Sequence, residues 1–75
     1  MDITFFGRLT DLTGNKDLNT DGITNTEELL QRLLDLYPSV SEIPFVIAVN
    51  NQIIHGRHIL KKGDHISLLP PFSGG

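Results

Sequence analysis

The last two residues, Gly74 and Gly75, are the ones whose type and spacing most clearly predict chemistry, with Gly75 expected to carry a free carboxylate. Glycine makes up about 7% of an average protein, so a terminal pair arises by chance in roughly one chain in 200. Glycines have no Cβ atom, so the pair can pass through a channel too narrow for other residues and leave the last carbonyl open to attack. We therefore expect this carboxylate to react in another protein's active site. The alternative is a frayed terminus or a cloning remnant.

The residues before the glycines predict a stiff connection to the folded body. Residues 66–69 are a mostly apolar run typical of a strand, and Pro70-Pro71 ends it because proline lacks the amide hydrogen that a sheet requires. Paired prolines favour the extended polyproline conformation, so residues 70–75, with Phe72 and Ser73, are predicted to form an extended reactive tail. Six extended residues reach at most about 20 Å.

The other polar residues predict no separate active site. His55, His58 and His65 are expected on the surface, with no cysteine or carboxylate at ligand spacing, so no metal site is predicted. Ser73 is not followed by the strand-to-helix turn of a nucleophile elbow. The chain has no cysteine, so any sulfur chemistry must use a group other than a thiol side chain.

Composition limits the possible functions further. Residues 1–75 are few enough to form one domain with little room for a deep catalytic cleft. The formal charge of −3 argues against nucleic-acid binding and favours a partner with a basic docking surface. The sequence has neither a basic leader at its amino terminus nor an apolar run long enough to span a membrane, so we expect a cytoplasmic protein without membrane contact.

Periodicity predicts one helix and several short strands. Residues 3–6 alternate like a strand that Gly7 ends, residues 8–13 predict a short helical turn stopped by Gly14, and residues 17–20 suit a short edge strand. The clearest element is a helix capped by Thr24 or Asn25, both of which have capping-box spacing to a glutamate. Its apolar stripe comprises Leu29, Leu30, Leu33, Leu34, Leu36 and Tyr37, and Pro38 ends it.

The carboxyl-terminal half predicts a hairpin and a final strand. Residues 39–44 are predicted to form a crossing loop, residues 45–49 a central strand that is apolar on both faces, and residues 50–52 a turn. Residues 61–64 form a second turn before the final strand. This order predicts an α+β fold of the β-grasp type, with a mixed sheet packed on one main helix and the first and last strands adjacent and parallel.

Three apolar residues are predicted to form a docking patch on the sheet face away from the helix. Phe6 and Leu69 break the alternation of buried positions on strands that we expect to be neighbours, and Ile53 in the hairpin can join them. Such a cluster near the tail favours a partner-binding site, although scattered exposed apolar residues are common.

The chain resembles the small subunits of molybdopterin synthase, which are sulfur carriers of the ubiquitin-like β-grasp class. The similarity lies in FFGRLTDLTG, the capped helix TNTEELLQRLLDLYP, the hairpin FVIAVNNQII and the ending ILKKGDHISLLPPFSGG. The thiamin sulfur carriers share the fold and the terminal glycines but normally lack the two prolines. The proline pair therefore favours the pterin branch.

The resemblance implies a specific reaction for Gly75. An adenylating enzyme of the ubiquitin-activating type would use ATP to activate the carboxylate, and a sulfur donor, typically a persulfide, would convert it to a thiocarboxylate. On the large subunit of a heterotetrameric molybdopterin synthase, this sulfur would pass to cyclic pyranopterin monophosphate during molybdenum cofactor biosynthesis. The resemblance also implies that apolar residues at positions 6, 53 and 69 pack on the large subunit, which would supply all other catalytic groups.

Three alternatives remain open at this stage. The chain could carry sulfur for thiamin synthesis or for tRNA thiolation, it could modify lysines as ubiquitin does, or it could be a β-grasp binding module whose terminus has no chemistry.

Overall fold

The computed structural model describes residues 1–14 and 18–71 and contains four strands and two α-helices. Strand β1 spans Asp2–Phe5, helix α1 Arg8–Thr13 and helix α2 Thr26–Leu36. A 3₁₀ helix, Pro38–Glu42, follows α2 and leads to strands β2 (Val46–Val49), β3 (Gln52–Ile54) and β4 (His65–Leu69).

The four strands form one mixed sheet in the order β1-β4-β2-β3. Strands β1 and β4 are parallel, whereas β2 is antiparallel to both β4 and β3. The predicted adjacent and parallel first and last strands are therefore confirmed, as is the central position of β2. The last strand of the chain is thus held between two neighbours, so its position does not depend on a free sheet edge.

The core lies between α2 and one face of the sheet. Leu29 and Leu33 of α2 and Ile66 and Leu68 of β4 are fully buried. Burial of apolar surface of this kind is the main term that stabilises a small domain. The predicted one-sided helix is confirmed, with the exception of Leu36, which is 55% exposed and does not belong to the buried stripe. Helix α2 ends at Leu36, and the following 3₁₀ helix buries Val40 in the core instead.

Asn25 caps α2, which decides between the two predicted caps. Its side-chain oxygen accepts a hydrogen bond from the Glu28 backbone N–H at 3.0 Å. The Glu28 carboxylate in turn accepts hydrogen bonds from the backbone N–H and the hydroxyl of Thr24, each at 2.7 Å. These two bonds, with smaller contributions from nearby arginines, lower the pKa of Glu28 from its ordinary value of 4.5.

The predicted edge strand over residues 17–20 is not present where the structure describes it. Residues 18–20 form no strand, and Asp17 lies outside the described residues. Instead, the Arg32 guanidinium of α2 donates to the backbone carbonyls of Asn19 and Asp21, at 2.7 and 3.0 Å. The segment is held by a helix side chain, and sequence alternation carries no information about such a contact.

The remaining predictions concern short segments, and some of them differ from the structure. Helix α1 is present as predicted, and Gly14 ends it in the left-handed conformation at φ 67°. The predicted crossing loop contains the 3₁₀ helix, because Pro38 can occupy a first helical turn. Gln52 belongs to β3 rather than to the turn, since Asn50 and Asn51, at φ 52° and 69°, complete a two-residue hairpin turn alone.

Candidate functional site

The candidate site is the end of the sheet from which the predicted tail departs. Strand β4 ends at Leu69, which pairs with Val46 at the start of β2. On the other side, the Phe6 backbone N–H donates to the Leu68 carbonyl at 3.0 Å, directly after β1 ends. The chain therefore leaves the sheet at Pro70 with ordered backbone on both sides.

Gly7 packs directly against the first proline of the tail. A Cβ atom at Gly7 would lie 2.9 Å from Cγ of Pro70, closer than carbon atoms approach in proteins. Gly7 also has φ 62° and ψ −138°, a conformation that residues with side chains rarely adopt. Its carbonyl accepts a hydrogen bond from the Thr10 N–H at 3.0 Å, which starts α1. Gly7 thus joins the start of α1 to the root of the tail.

Sequence reasoning identified Gly7 only as the end of a strand. Its contact with Pro70 arises from the parallel pairing of β1 with β4, which brings residues more than sixty positions apart together. The predicted β-grasp order could have indicated this contact, because first and last strands that are adjacent and parallel end at the same edge of the sheet.

A small apolar cleft of about 210 Å³ lies beside this contact. Among the described residues that line it, Arg8 is the only charged one, and it lies next to Gly7 at the start of α1. The cleft is formed by residues at the ends of β1 and β4 and in the segment that precedes β2. Its lining residues are Phe6, Gly7, Arg8, Leu9, Ile43, Pro44, Pro70 and Pro71.

The strand register defines the sheet face that α2 leaves uncovered. Residues paired across a sheet point to the same face, so Ser67, with its partners Thr4 and Ala48, lies opposite to the buried Ile66 and Leu68. Ala48 pairs in turn with Ile53, which extends this row to the outer strand β3. Ser67 is only 8% exposed although it lies on the uncovered face, because its small side chain is shielded by its neighbours.

The three residues predicted to bind a partner lie along this face and its end. Phe6 and Ile53 are each 43% exposed, and Leu69 is half-buried. Phe6 follows directly after the Phe5–Leu68 pair, so the register places it beside Leu69, and it also lines the cleft. Ile53 lies on the opposite edge of the sheet, about 14 Å from β1 at three interstrand spacings. Any patch that includes all three must run across β4 and β2.

The tail itself is described only at its root. Pro70 and Pro71 are exposed. Phe72, Ser73, Gly74 and Gly75, including the predicted reactive carboxylate, lie outside the described residues. The structure therefore gives the position from which the tail starts.

A network of hydrogen bonds fixes the opposite end of β4. The Asp64 carboxylate accepts from the Lys61 backbone N–H at 2.8 Å and from the Asn50 side-chain amide at 3.1 Å. These bonds, the one from Lys61 first, lower the pKa of Asp64 from its ordinary value of 3.8. The Asn50 side-chain oxygen accepts from the His65 N–H at 2.9 Å, so both turns are joined to the first residue of β4.

The histidines are placed as surface residues by the structure. His55 and His65 are exposed and His58 is half-buried. Within residues 1–14 and 18–71, no three histidine or acidic residues are grouped closely enough to hold a metal ion. None of the helices described there is long and apolar enough to cross a membrane.

Comparison with known proteins gives consistent results for sequence and for fold. The model of the ThiS family matches residues 3–75. The chain is 32% identical to the "Molybdopterin synthase sulfur carrier subunit" of Arabidopsis thaliana over 78 aligned residues, which cover 97% of this chain and 80% of the plant protein.

The fold is similar to that of SAMP1 from Haloferax volcanii, known from a crystal structure. The TM-score is 0.72 at 20% sequence identity, with 99% of this chain and 97% of SAMP1 covered. The similarity confirms the predicted β-grasp architecture.

Proposed function

Because the chain belongs to the ThiS family, we propose that it is a sulfur carrier whose Gly75 accepts a sulfur atom and delivers it within a larger partner. The observation that carries this proposal is the place at which the chain leaves the sheet. The internal strand β4 leads directly into Pro70-Pro71 beside an apolar cleft, and the family match continues through Gly75. A reactive terminus on a fixed root suits delivery to another protein.

The absence of cysteine from the sequence requires the sulfur to be carried on the main chain. A carboxylate is an anion that a sulfur nucleophile does not attack, so it must first be activated. In the active site of an adenylating enzyme, an oxygen of the Gly75 carboxylate attacks the α-phosphorus of ATP, and pyrophosphate leaves. ATP is therefore assigned to the partner enzyme, and no cofactor is assigned to this chain.

A persulfide then supplies the sulfur. Its terminal sulfur attacks the acyl carbon of Gly75, AMP leaves, and an acyl disulfide forms between carrier and donor. A second thiol of the donor breaks the S–S bond, which releases the Gly75 thiocarboxylate and leaves the donor as a disulfide. Atoms and electrons balance without any side chain of the carrier taking part.

We assign the carrier to the molybdopterin branch. The similarity to the plant sulfur carrier subunit and the Pro70-Pro71 pair both support this choice. The thiocarboxylate would donate its sulfur to cyclic pyranopterin monophosphate bound by the large subunit of molybdopterin synthase. Two carriers would be consumed per pterin, in a heterotetramer of small and large subunits in the cytoplasm.

The described residues support delivery by fixing the direction of the tail and offering a docking surface. Contact between Pro70 and Gly7 restricts the path by which the chain leaves the sheet. Phe6 and Leu69 lie beside that root, and Ile53 extends the apolar surface to the far edge. Docking through these residues would hold the thiocarboxylate at high local concentration in a channel from which water is excluded.

The test is reconstituted sulfur transfer with four forms of the carrier. We expect the intact chain to form product with the adenylating enzyme, ATP, a persulfide donor, the large subunit and the pterin. A chain without Gly75, or with Gly75 as an amide, should form none while unfolding at the same temperature. Ser73→Ala is the control for a change in the tail that spares the reacting carbonyl.

Transfer by the truncated chain would refute the mechanism. Transfer to a thiamin precursor or to tRNA instead of the pterin would move the carrier to another branch. The attachment of the chain to lysines by a Gly-Gly bond in its own cells would indicate a protein modifier instead.

A further inference from the structure

Positive charge is concentrated in residues 55–65 of a chain that is acidic overall. The formal charge of the whole chain is −3 with neutral histidines, yet this segment contains Arg57, Lys61 and Lys62. Asp64 is its single carboxylate. The net charge of this segment is therefore positive, whereas that of the rest of the molecule is negative.

The middle of this segment is held rigidly against the start of α2. The His58 backbone N–H donates to the Thr26 hydroxyl and its carbonyl accepts from the Thr26 N–H, both at 3.0 Å. The Leu60 N–H donates to the Thr24 carbonyl at 2.9 Å, and Ile59 forms a bridge with Asn25. These bonds fix the backbone on both sides of Ile59.

Rigid backbone makes the exposure of Ile59 informative. Leu60 is buried in the core at 6% exposure, whereas Ile59 is 56% exposed, the highest value among the large apolar residues described. A loose loop could turn such a side chain inward. This one is held outward in water by the same bonds that place Leu60 in the core.

Two cations, Arg57 and Lys61, lie beside the exposed isoleucine. Arg57, His58, Ile59 and Lys61 line one shallow depression of about 520 Å³, together with Asn50 and Asp64. The Asp64 carboxylate accepts hydrogen bonds from Lys61 N–H and the Asn50 amide, and Glu28 lies close enough for Arg57 to lower its pKa. An apolar centre with a charged rim is the usual anatomy of a protein interface.

The depression lies at the end of the sheet opposite to the tail. His65 begins β4 beside Asn50 and Asp64, and Leu69 ends β4 at the tail root. Four residue steps along a strand separate these ends by about 13 Å. A partner bound at the depression would thus leave the cleft at the tail root uncovered.

We propose that Arg57, His58, Ile59 and Lys61, the Ile59 surface, form a second docking site that binds an acidic segment of a partner protein. The segment carries one apolar side chain among its carboxylates. Charge complementarity selects this occupant, because carboxylates match the cationic rim and an apolar group covers Ile59. The proposal does not depend on the sulfur-carrier function, since this surface and the cleft at the tail root are lined by different described residues at opposite ends of β4.

The test is an NMR titration of the isotope-labelled full chain with a short peptide that has glutamates on both sides of one leucine. Amide shifts should move saturably at residues 57–61 and not around Phe6 and Pro70. Binding should weaken as salt is added. Ile59→Ser and the pair Arg57→Gln with Lys61→Gln should each weaken binding roughly tenfold.

Two control variants match these changes elsewhere on the surface. Leu36→Ser alters a leucine that is 55% exposed on α2, and Arg8→Gln removes an exposed cation near the tail. Both should bind the peptide as the unchanged chain does.

Four results would overturn the proposal. They are no saturable binding of the glutamate peptide, equal binding of the same peptide with glutamines, unchanged binding by Ile59→Ser, or equally strong shifts with inorganic phosphate or vesicles of anionic phospholipid.

Discussion

At the scale of single residues, glycine has two different roles in this chain, and both depend on its lack of a side chain. At Gly7 it permits a positive φ and close contact with Pro70, so that the tail starts from a fixed point. At Gly74 and Gly75 it is proposed to permit passage through a narrow channel in a partner. The first role is a property of the fold, and the second belongs to the proposed reaction.

Gly7→Ala tests the first role, with Gly14→Ala as a control for positive φ. Gly14 is in the left-handed helical region at ψ 25°, whereas Gly7, at ψ −138°, has a conformation that other residues rarely adopt. A Cβ at Gly14 meets nothing within 4 Å, whereas one at Gly7 meets Pro70. We expect Gly14→Ala to lower the free energy of unfolding by about 1 kcal/mol and Gly7→Ala by about 2–4 kcal/mol, because overpacking adds to the backbone strain. Chemical denaturation measures both. Equal losses would mean that Pro70 does not pack on Gly7.

Gly74→Ala tests the second role. A methyl group next to the reacting carbonyl would displace it in a narrow channel, and a misplacement of about 1 Å can reduce a rate on the order of a hundredfold. Ser73→Ala should reduce sulfur transfer far less. The two rates are compared at saturating large subunit. Equally mild effects at both positions would argue for a wide channel.

At the scale of elements, the helix and the order of the strands could be predicted from sequence, and the loops could not. The leucine spacing and the glutamates three residues after Thr24 and Asn25 are local signals, and they predicted α2 with two possible caps, of which the structure has Asn25. The segment around Asn19 depends on a hydrogen bond from Arg32, thirteen residues away, and therefore has no local pattern.

The candidate site likewise has features that could be predicted from the sequence and features that could not. Phe6 and Leu69 were predicted from a break in alternation and Ile53 from its place in the hairpin, and the register places them on or beside the uncovered face. The separation of Ile53 from Phe6 by two strands depends on the sheet order. The Gly7–Pro70 contact and the exposure of Ile59 depend on packing between distant segments, which periodicity does not report.

The cap of α2 predicts how stability changes in acid. Because Glu28 has a lowered pKa in the folded chain, its carboxylate stabilises the fold fully above about pH 4.5, its ordinary value. This contribution is lost as the pH falls from there through the lowered folded-state pKa. In Glu28→Gln, unfolding temperature should therefore fall less between about pH 5 and pH 2 than in the unchanged chain.

Glu27→Gln is the control for this measurement. Glu27 carries the same charge in the same first turn, but it is Glu28 that accepts the hydrogen bonds from Thr24. If both variants change the acid dependence equally, the effect comes from general charge and not from the cap.

At the scale of the whole molecule, two different surfaces lie at the opposite ends of β4. The tail root carries the cleft and the predicted docking residues, and the other end carries the cationic Ile59 surface. Under the proposed function the chain would meet an activating enzyme, a sulfur donor and a large subunit in turn, and two separate surfaces would allow more than one mode of binding.

Phe6→Ala and Leu69→Ala test the surface at the tail root. Each should weaken binding to the large subunit by about 1–3 kcal/mol, the usual range for a central interface residue. Ile53→Ala tests whether the interface extends to the far edge of the sheet. Leu36→Ala, on the exposed end of α2, is the control and should bind normally. Calorimetry is paired with a denaturation curve for each variant. Normal binding by Leu69→Ala, or a loss of stability without a loss of affinity, would contradict its role in docking.

The central claim is that Gly75 carries sulfur, and the intact mass of the chain purified from its own cells tests it most directly. We predict a fraction of molecules heavier by the replacement of one oxygen by sulfur, with fragmentation placing the change at Gly75. The fraction should disappear when the adenylating enzyme is deleted. A chain that never shows this exchange, even with the large subunit removed so that sulfur cannot be consumed there, would contradict the account.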